Sequence, residues 1–298
     1  MIEDLLHIPV IGVIPWMDVD IEDEDSVTER FNRRSGNGAL KAAVVHLPHI
    51  SNFTDFNILG TDEGLSLRYA ASCADLKDVD IILLPGTKNT IEDLNWLKQK
   101  GLADEIIRFA RAGGTVIGIC GGYQMLGERL YDPEYSESRI PEIAGLGLLD
   151  MSVTFHAEKT TVQSTGTIQC SSGWLQEYNG TLLDGYEIHS GTNRFGAECV
   201  PFLTINGETD GVTNPAGNVI GTYLHGIFDN GIFWRAAANH VRESLGIAPE
   251  EGQTMTMAEF RDREYDRLAE IVRGSLDMDS VYRIIRGEDV PCGRWDGE

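Results

Sequence analysis

The chain has 298 residues, of which 42% are hydrophobic, and its 47 acidic residues against 24 basic ones give a formal charge of −23. This charge disfavours nucleic acid and anionic membranes as partners, because binding to phosphates needs clustered Lys and Arg. No apolar run approaches the roughly 20 residues of a transmembrane helix, and the N-terminus lacks the features of a signal peptide. We therefore expect a cytoplasmic protein with neither a membrane nor a nucleic-acid partner.

The spacing of the cysteines and histidines predicts neither a disulfide framework nor a zinc site. The cysteines are odd in number, lie far apart and form no C-x-x-C pair, which is typical of a reducing compartment. They are Cys73, Cys120, Cys170, Cys199 and Cys292. His46 and His49 are three residues apart, but no acid or cysteine stands at ligand spacing from them. We therefore expect no metal site in this chain.

The first 35 residues differ in pattern from the rest of the chain. The apolar run "IPVIGVI" (8–14) predicts a buried strand that ends at Pro15. A lone strand cannot bury both of its faces, so we interpret this segment as the last strand and tail of another domain. The acidic stretch 18–25 and the Gly-rich stretch 32–40 are typical of a solvated linker. We place a domain boundary near residue 35.

Beyond residue 36, the pattern predicts an open α/β sheet. Several segments are continuous apolar runs rather than alternating ones, as in parallel strands that are covered on both faces. They are 41–47, 80–85, 115–120 and 219–225. Between the second and third of them, Leu102, Ile106, Phe109 and Ala110 recur at helical spacing. Strand, helix and strand with short connections make a βαβ unit, so we expect a mostly parallel sheet flanked by helices.

The remaining segments predict additions to that sheet. Residues 150–215 are rich in Thr and Val with polar alternation, which predicts inserted antiparallel strands or hairpins. The amphipathic pattern of 233–246 predicts a helix, and 257–286 predict one or two more. We therefore place the main domain at 36–250 and a C-terminal helical extension at 251–298.

The stretch "GICGG" has the spacing of a nucleophile elbow, with Gly118 and Gly122 two positions on either side of Cys120. An abrupt turn from strand to helix leaves no room for a Cβ at those two positions, and it projects the central side chain from the sheet edge. Backbone N–H groups at the start of the following helix favour a thiolate there. The alternative is a buried structural thiol at the end of a strand.

Two further strand ends carry residues that suit such a nucleophile. "LLPGTKNT" would place the Gly86 amide beside the elbow, where the N–H groups of Gly86 and Gly121 would stabilise an oxyanion. "GTYLHGIF" ends a strand with His225, which would accept the Cys120 proton. Each stretch also has a structural interpretation, the first as an ordinary strand-to-helix turn and the second as a structural histidine.

Taken together, these motifs resemble the glutaminase domain of class I (triad-type) glutamine amidotransferases. The motifs are "LPGTKNT", "GICGGYQMLG" and "GTYLHGIFD". More narrowly, "HLPHISNFTDF", "GLGLLDM", "GYEIHSG" and "YDRLAEIVR" resemble the cobyric acid synthase family, and this resemblance covers nearly the whole chain in register. The resemblance implies a flavodoxin-like α/β fold and glutamine-dependent amidation of corrin-ring carboxylates in cobalamin biosynthesis.

The resemblance implies roles for five residues. Cys120 would attack the side-chain amide of glutamine, form a γ-glutamyl thioester and release ammonia. His225 would deprotonate the thiol and then protonate the leaving amine. Gly86 and Gly121 would supply the oxyanion donors. Gln124 matches a position that helps to hold the substrate glutamine.

The sequence departs from most triad amidotransferases just after the histidine. Those enzymes carry an acid two residues on, where this chain has Ile227, and the cobyric acid synthase branch resembles this chain in lacking it. The motif therefore does not identify the residue that orients His225. Asp229 is a candidate if its turn folds back, and Glu187 and His189 are others. For Glu187 and His189 we favour a role in the glutamine pocket or at an interface.

A polar segment after the first strand of the main domain also has two interpretations. Asn52, Thr54 and Asp55 in "SNFTDF" stand at the carboxyl end of a predicted strand. They either line the cleft between domains or form a turn.

Amidation needs an activated carboxylate, and the resemblance implies activation with ATP and Mg²⁺. The chain contains no G-x-x-x-x-G-K-[ST] motif and no other Gly-rich turn with a Lys at phosphate-binding spacing. Complete cobyric acid synthases resemble a dethiobiotin-synthetase-like ATP domain followed by a glutaminase domain, and residues 1–35 resemble the end of the first. We therefore expect ATP and Mg²⁺ in a synthetase domain outside this chain. Its expected partners are glutamine, that synthetase domain and a corrinoid substrate.

The predicted function is the glutaminase portion of an enzyme of the cobyric acid synthase type. It would supply ammonia to amidate the b, d, e and g carboxylates of cobyrinic acid a,c-diamide, which gives cobyric acid. Related alternatives are the glutaminases of cobyrinic acid a,c-diamide synthesis and of a complex that amidates cell-wall lipid II. "SNFTDF" and the C-terminal helices disfavour both. An alternative of another class is a catalytically silent module that docks an ATP-dependent partner.

Overall fold

A computed structural model describes residues 2–17, 19, 36, 38–252 and 254–292 of the chain. Contacts divide the chain into two units, one made of Met1–Glu22 with Ala258–Glu298 and the other of Asp23–Met257. In chain order the elements are α1 (Ile2–Leu6), β1 (Leu40–Val45), β2 (Leu65–Ala70), β3 (Ile81–Leu84), α2 (Thr90–Gln99), α3 (Leu102–Arg111), β4 (Thr115–Ile119), α4 (Gly121–Leu126), β5 (Arg129–Tyr131), β6 (Glu142–Ala144), β7 (Met151–Ile168), β8 (Leu182–Phe195), β9 (Val200–Ile205), β10 (Glu208–Thr213), β11 (Val219–Thr222), α5 (Ile232–Ser244), α6 (Met257–Ser275) and α7 (Met278–Ile285).

In the described part of the chain, the larger unit is built on one sheet of eleven strands. The strand order is β2-β1-β3-β4-β11-β10-β9-β7-β5-β6, and β8 pairs with β7 beside this row. β2, β1, β3, β4 and β11 are parallel to one another, whereas β10 and β9 continue the sheet antiparallel. The predicted open, mostly parallel α/β sheet with inserted antiparallel strands is confirmed.

Four parallel strands direct their carboxyl ends to one edge of this sheet. Every residue of β3, β4 and β11 is buried, and in β1 the exception is Lys41, as the continuous apolar runs predict. Because parallel strands point the same way, the residues that follow Val45, Leu84, Ile119 and Thr222 meet at this carboxyl edge. The candidate site is built at this edge.

Helix α3 covers one face of the parallel strands through the side chains that its sequence spacing predicts. Leu102, Ile106 and Ala110 are buried in the core that also contains β3 and β4, and Phe109 packs against it partly buried. After the helix, the chain turns at Gly113, whose φ of 94° suits a residue without a Cβ. The predicted helix is confirmed.

Strands β7 and β8 form a long antiparallel ribbon. Its regular part pairs Lys159–Thr167 with Leu182–Ser190, and a shift in register separates this part from the pairing that ends at Thr154. A further bridge joins Tyr186 of β8 to His225, just beyond β11. The ribbon therefore brings β8 to the carboxyl edge of the parallel strands.

The strand predicted for 8–14, in the smaller unit, is wrong. The described residues there make one isolated β-bridge, between Gly12 and Leu276. Ile8 and Ile14 are 59% and 47% exposed rather than buried. An apolar run forms a stable strand only where neighbouring strands pair with it, and the described residues supply none along its length.

The outer segments are described to different extents. The predicted linker 18–25 lies outside the described residues apart from Val19, and the predicted boundaries at residues 35 and 250 stay predictions. The helices expected after the sheet are present as α5, α6 and α7. Among the helices that the structure describes, none is both long and apolar enough to cross a membrane.

Candidate active site

Cys120 occupies a sharp turn between β4 and α4. Its backbone angles are φ 52° and ψ −111°, a region that residues with a Cβ rarely adopt and that costs of order 1–3 kcal/mol. β4 ends at Ile119 and α4 begins at Gly121, so Cys120 alone makes the turn. Such strain persists where the surrounding structure fixes it, and it concentrates at functional sites. The backbone of the predicted nucleophile elbow is therefore present.

Close approaches of backbone atoms require both glycines of the elbow. A Cβ on Gly122 would lie 2.1 Å from the carbonyl oxygen of Leu84, and one on Gly118 would lie 2.8 Å from the backbone of Gly122. Both contacts involve backbone atoms, which cannot rotate away as a side chain can. The turn at Cys120 thus depends on the small residues that the sequence places around it.

The Cys120 thiol lies beside β8. The residue is 7% exposed, and its Sγ donates to the carbonyl oxygen of Ile188 at 3.4 Å. β8 is joined to the histidine as well, because the backbones of Tyr186 and His225 exchange hydrogen bonds of 3.2 and 2.9 Å. Strand β8 therefore forms one wall of the space around the thiol.

His225 follows β11, which is the neighbour of β4 in the sheet, and its side chain is 1% exposed. Its Nδ1 atom is 2.7 Å from Oδ2 of Asp55, while Oδ1 of Asp55 accepts from the N–H of Gly226 at 3.0 Å. The other ring nitrogen, Nε2, is buried and makes no hydrogen bond to an oxygen or nitrogen of the described residues. Because the Cys120 side chain interacts with the ring, Nε2 is the atom left to exchange a proton with the thiol.

The groups around His225 favour its protonated form. Burial by itself lowers the pKa of His225, but the charge and the hydrogen bond of Asp55, together with Cys120, outweigh burial and raise it to about 10. A ring with this pKa retains a proton that it takes from Cys120, as in a thiolate–imidazolium pair. The pair suits attack by sulfur on an electrophilic carbon.

Asp55 reaches the histidine from a one-turn 3-10 helix, Phe53–Phe56, that follows β1. Asn52 precedes this turn with a φ of 52°, and its Nδ2 donates to the hydroxyl of Tyr186 at 2.8 Å. The ring of Tyr186 stacks on that of His225, with centroids 5.0 Å apart. Of the two interpretations that the sequence left open for "SNFTDF", the structure shows a turn, and this turn contacts the histidine.

Neither ring nitrogen of His225 is hydrogen-bonded to the candidates that the sequence suggested for orienting it, namely Asp229, Glu187 and His189. Asp229 lies in the turn after the histidine, with its carboxylate close to Gly226. All three candidates are nearer to His225 in the sequence than Asp55, which is 170 residues away. The sequence feature that could have identified Asp55 is an acidic residue just after a strand whose carboxyl end borders the site.

Glu187 and His189 lie on β8, close to the elbow. His189 Nε2 is 3.5 Å from the Glu187 carboxylate, and its ring stacks on Tyr223 with centroids 3.7 Å apart. Glu187 also accepts from the hydroxyl of Ser164 at 2.6 Å. Burial lowers the pKa of His189 despite the opposing effect of Glu187. A role for this pair in the glutamine pocket or at an interface stays a prediction.

The side chain of Gln124 points inward from α4, and its amide is fully engaged. Its Oε1 accepts from the Thr90 hydroxyl at 2.9 Å, and its Nε2 donates to the Ser190 carbonyl at 3.0 Å and to the Tyr223 hydroxyl at 3.3 Å. These bonds tie the elbow helix to β8 and to the start of α2. That Gln124 also holds a substrate glutamine stays a prediction.

Gly86 and Gly121 lie on adjacent turns at the site. A Cβ on Gly86 would be 3.2 Å from Cε1 of His225, and one on Gly121 would be 2.6 Å from Cγ2 of Thr87. The Gly86 carbonyl accepts from the N–H of Ser51 at 2.9 Å, which fixes the first of these turns. The structure thus places Gly86 beside His225 and Gly121 directly after Cys120, and their binding of an oxyanion stays a prediction.

The histidines considered for a metal make structural contacts instead. His49 Nδ1 is 2.7 Å from Asp93 Oδ1, and His46 packs edge-on against Tyr69. The residues that the structure describes contain no group of three His, Cys, Asp or Glu side chains that could hold a metal ion. With no phosphate-binding loop in the sequence, the residues present do not fit ATP with Mg²⁺.

Sequence comparison places the chain among glutamine amidotransferase domains. Residues 41–233 match the model of the CobB/CobQ-like glutamine amidotransferase domain. The chain is 46% identical over 293 residues to a cobyric acid synthase of Thermoanaerobacter sp. (strain X514), a match that covers 96% of this chain and 58% of the relative. It is 42% identical over 295 residues to that of Photorhabdus laumondii, with 96% and 57% covered. The chain therefore spans less than two thirds of the length of these curated relatives.

Solved structures share the fold at low sequence identity. A crystal structure of a glutamine amidotransferase has a TM-score of 0.50 and 15% identity, over 69% of this chain and 99% of the other. The PurLQS structure from Thermotoga maritima has a TM-score of 0.51 and 19% identity, over 69% and 97%. These likenesses show the fold alone, whereas the family match includes both Cys120 and His225. The chain belongs to the CobB/CobQ-like glutamine amidotransferase domain family.

Proposed function

We propose that this chain is the glutaminase portion of a cobyric acid synthase. The observation that carries the proposal is Cys120 on a strained elbow beside a buried His225 whose Nε2 is left for the thiol. The released ammonia would amidate the b, d, e and g carboxylates of cobyrinic acid a,c-diamide. The names of the curated relatives support this substrate, and the residues of the chain itself support the glutaminase step.

The reaction begins when Cys120 transfers its proton to Nε2 of His225. The sulfur attacks the side-chain amide carbon of glutamine, and the N–H groups of Gly86 and Gly121 hold the oxyanion of the tetrahedral intermediate. The imidazolium then donates its proton to the amide nitrogen, the C–N bond breaks, and ammonia leaves a γ-glutamyl thioester on Cys120. Water attacks the thioester with His225 as the base, which releases glutamate and restores the thiol.

Activation of the receiving carboxylate belongs, in this proposal, to a synthetase portion outside the chain. ATP and Mg²⁺ act there, because the residues of this chain do not fit them. The greater length of the curated relatives supports such a portion.

Release of glutamate and ammonia from glutamine by the purified chain tests the glutaminase step. We expect turnover that falls by about 10³-fold or more in Cys120→Ser, because the thioester cannot form. Cys170→Ser is the matched control, since Cys170 is also buried but donates to the Ser172 carbonyl, and it should retain activity.

Equal turnover in Cys120→Ser and the unmodified chain would contradict the proposal. Absence of turnover both alone and with the synthetase portion of a cobyric acid synthase would favour the silent docking module instead. With that portion, ATP, Mg²⁺ and cobyrinic acid a,c-diamide present, glutamine-dependent amidation of the corrinoid tests the substrate.

A further inference from the structure

The position that carries an acid in most triad amidotransferases is occupied here by Ile227, which is fully buried. We propose that Asp55, from the turn after β1, replaces that acid and positions His225 for its exchange of a proton with Cys120. The inference rests on the proposed glutaminase function. It gives a role to the "SNFTDF" segment, Ser51–Phe56, which is far from the histidine in sequence.

Both carboxylate oxygens of Asp55 form hydrogen bonds with the segment that contains His225. Oδ2 is 2.7 Å from His225 Nδ1, and Oδ1 accepts from the N–H of Gly226 at 3.0 Å. A carboxylate is an acceptor, so Nδ1 must carry the hydrogen and Nε2 is the basic atom of the neutral ring. Asp55 thereby selects the tautomer that can take a proton from Cys120.

Burial makes this pairing specific. The side chains of His225 and Asp55 are 1% and 2% exposed, so neither has water as an alternative partner. A buried carboxylate is costly unless charged or polar groups pair with it, and the ring and the backbone of Gly226 supply those groups. The Asp55 carboxylate is thus held in one place, and it holds the ring in turn.

The Ser51–Phe56 segment contacts the site at two further places. The N–H of Ser51 donates to the carbonyl of Gly86, which belongs to the predicted oxyanion turn, at 2.9 Å. Asn52 donates to the hydroxyl of Tyr186, whose ring stacks on His225. One short segment therefore fixes the histidine directly through Asp55 and indirectly through Tyr186.

The titratable groups that interact with His225 come from three other elements. They are Asp55 from the turn after β1, Cys120 from the elbow, and Tyr186 and His189 from β8, with Asp229 acting on Tyr186 from the turn after the histidine. Among them, the Asp55 carboxylate is the acid hydrogen-bonded to the ring. Its charge favours the imidazolium, which is lost as pH rises through the pKa of His225, about 10.

Asp55→Asn tests the proposal, because the amide N–H would face Nδ1 and leave the ring proton on Nε2, the wrong nitrogen. We expect kcat for glutamine hydrolysis to fall by about 10²- to 10⁴-fold with little change in KM. The high-pH limb of kcat/KM should move down by about 1–3 pH units, since an opposite charge beside the ring is removed. Asp55→Glu retains the negative charge beside the ring, so the high-pH limb of its kcat/KM profile should stay where it is in the unmodified chain.

Asp62→Asn is the matched control for loss of a buried carboxylate. Asp62 accepts from Trp234 Nε1 at 2.8 Å and from the N–H of Gly64 at 2.9 Å, and neither donor belongs to the segment that contains the histidine. We expect Asp62→Asn to lower the stability of the chain while the pH limb stays in place.

Titration of the His225 ring by ¹⁵N NMR gives a readout that does not depend on turnover. In Asp55→Asn, the midpoint should fall by about 1–3 pH units relative to the unmodified chain. If the unmodified chain does not hydrolyse glutamine, the proposed function fails, and this titration still decides whether Asp55 governs the ring. The inference would be overturned if Asp55→Asn kept the kcat and the kcat/KM pH profile of the unmodified chain, or if its NMR midpoint did not shift. It would also be overturned if a folded Asp55→Glu variant had a displaced high-pH limb of kcat/KM.

Discussion

At the scale of single residues, Cys120 differs from the other cysteines of the chain in its surroundings. Cys170 is equally buried but donates to the carbonyl of Ser172 two residues on, as a structural thiol does. Burial, reinforced by the charge of Asp150, raises the pKa of Cys199 to about 11, which disfavours a thiolate there. Cys120 combines a strained backbone with an imidazole partner, and reactivity is therefore expected at this position.

Another single residue, Asp210 on β10, makes stability depend on pH. Its carboxylate is buried and accepts from the Thr222 hydroxyl and the Tyr223 N–H. Burial raises the pKa of Asp210 from 3.8 to about 7. Between these values the unfolded chain releases a proton that the folded chain keeps, so the contribution of Asp210 to stability decreases as pH rises.

Asp210→Asn should remove this part of the pH dependence. We expect the free energy of unfolding, measured by urea denaturation, to decline less from about pH 4 to pH 7 in Asp210→Asn than in the unmodified chain. Asp132→Asn is the matched control, because backbone N–H groups lower the pKa of the buried Asp132 despite its desolvation, which gives the opposite sign. An unchanged decline in Asp210→Asn would contradict the assignment.

Among the elements, β8 contacts more of the site than any sequence motif suggested. It accepts from the Cys120 thiol through Ile188 and from Gln124 through Ser190, and it pairs with His225 through Tyr186. The strand thus connects the nucleophile, the elbow helix and the histidine. It lies against the backbone of His225, with which Tyr186 exchanges two hydrogen bonds.

Gly185→Ala tests the importance of this close approach. A Cβ there would lie 2.0 Å from the carbonyl oxygen of His225, so β8 must move away from the histidine. We expect glutamine hydrolysis to fall by about 10²-fold, since small displacements of reacting groups have large effects on rate. Gly274→Ala in α6 is the control, because its Cβ meets nothing within 4 Å, and it should leave turnover unchanged. Full activity in Gly185→Ala would show that the position of β8 does not matter.

For the whole molecule, the sequence was informative where the relevant pattern is local. Continuous apolar runs predicted four of the five parallel strands, and the spacing of Gly118 and Gly122 predicted the strained turn at Cys120. The contact of Asp55 with His225 was missed because it depends on the order of the sheet, in which β3 and β4 separate β1 from β11. No local pattern carries that order.

Two other differences from expectation also arise from tertiary contacts. The course of β8 depends on a shift in register within the β7–β8 ribbon, which alternation of polar and apolar residues does not reveal. The apolar run 8–14 has the composition of a strand, but the described residues give it one bridge. Local pattern predicted four of the five parallel strands but not β2, and tertiary contacts determined which residues surround Cys120.

The most direct measurement is the site of covalent labelling by 6-diazo-5-oxo-norleucine, an alkylating mimic of glutamine, mapped by peptide mass spectrometry. We expect one adduct, on the peptide that contains Cys120, although this residue is 7% exposed and Cys292 is exposed. Recognition of the glutamine moiety and the adjacent His225 would select the buried thiol. Labelling of Cys292 or Cys73 in preference to Cys120, or the absence of an adduct, would contradict a glutaminase that acts through Cys120.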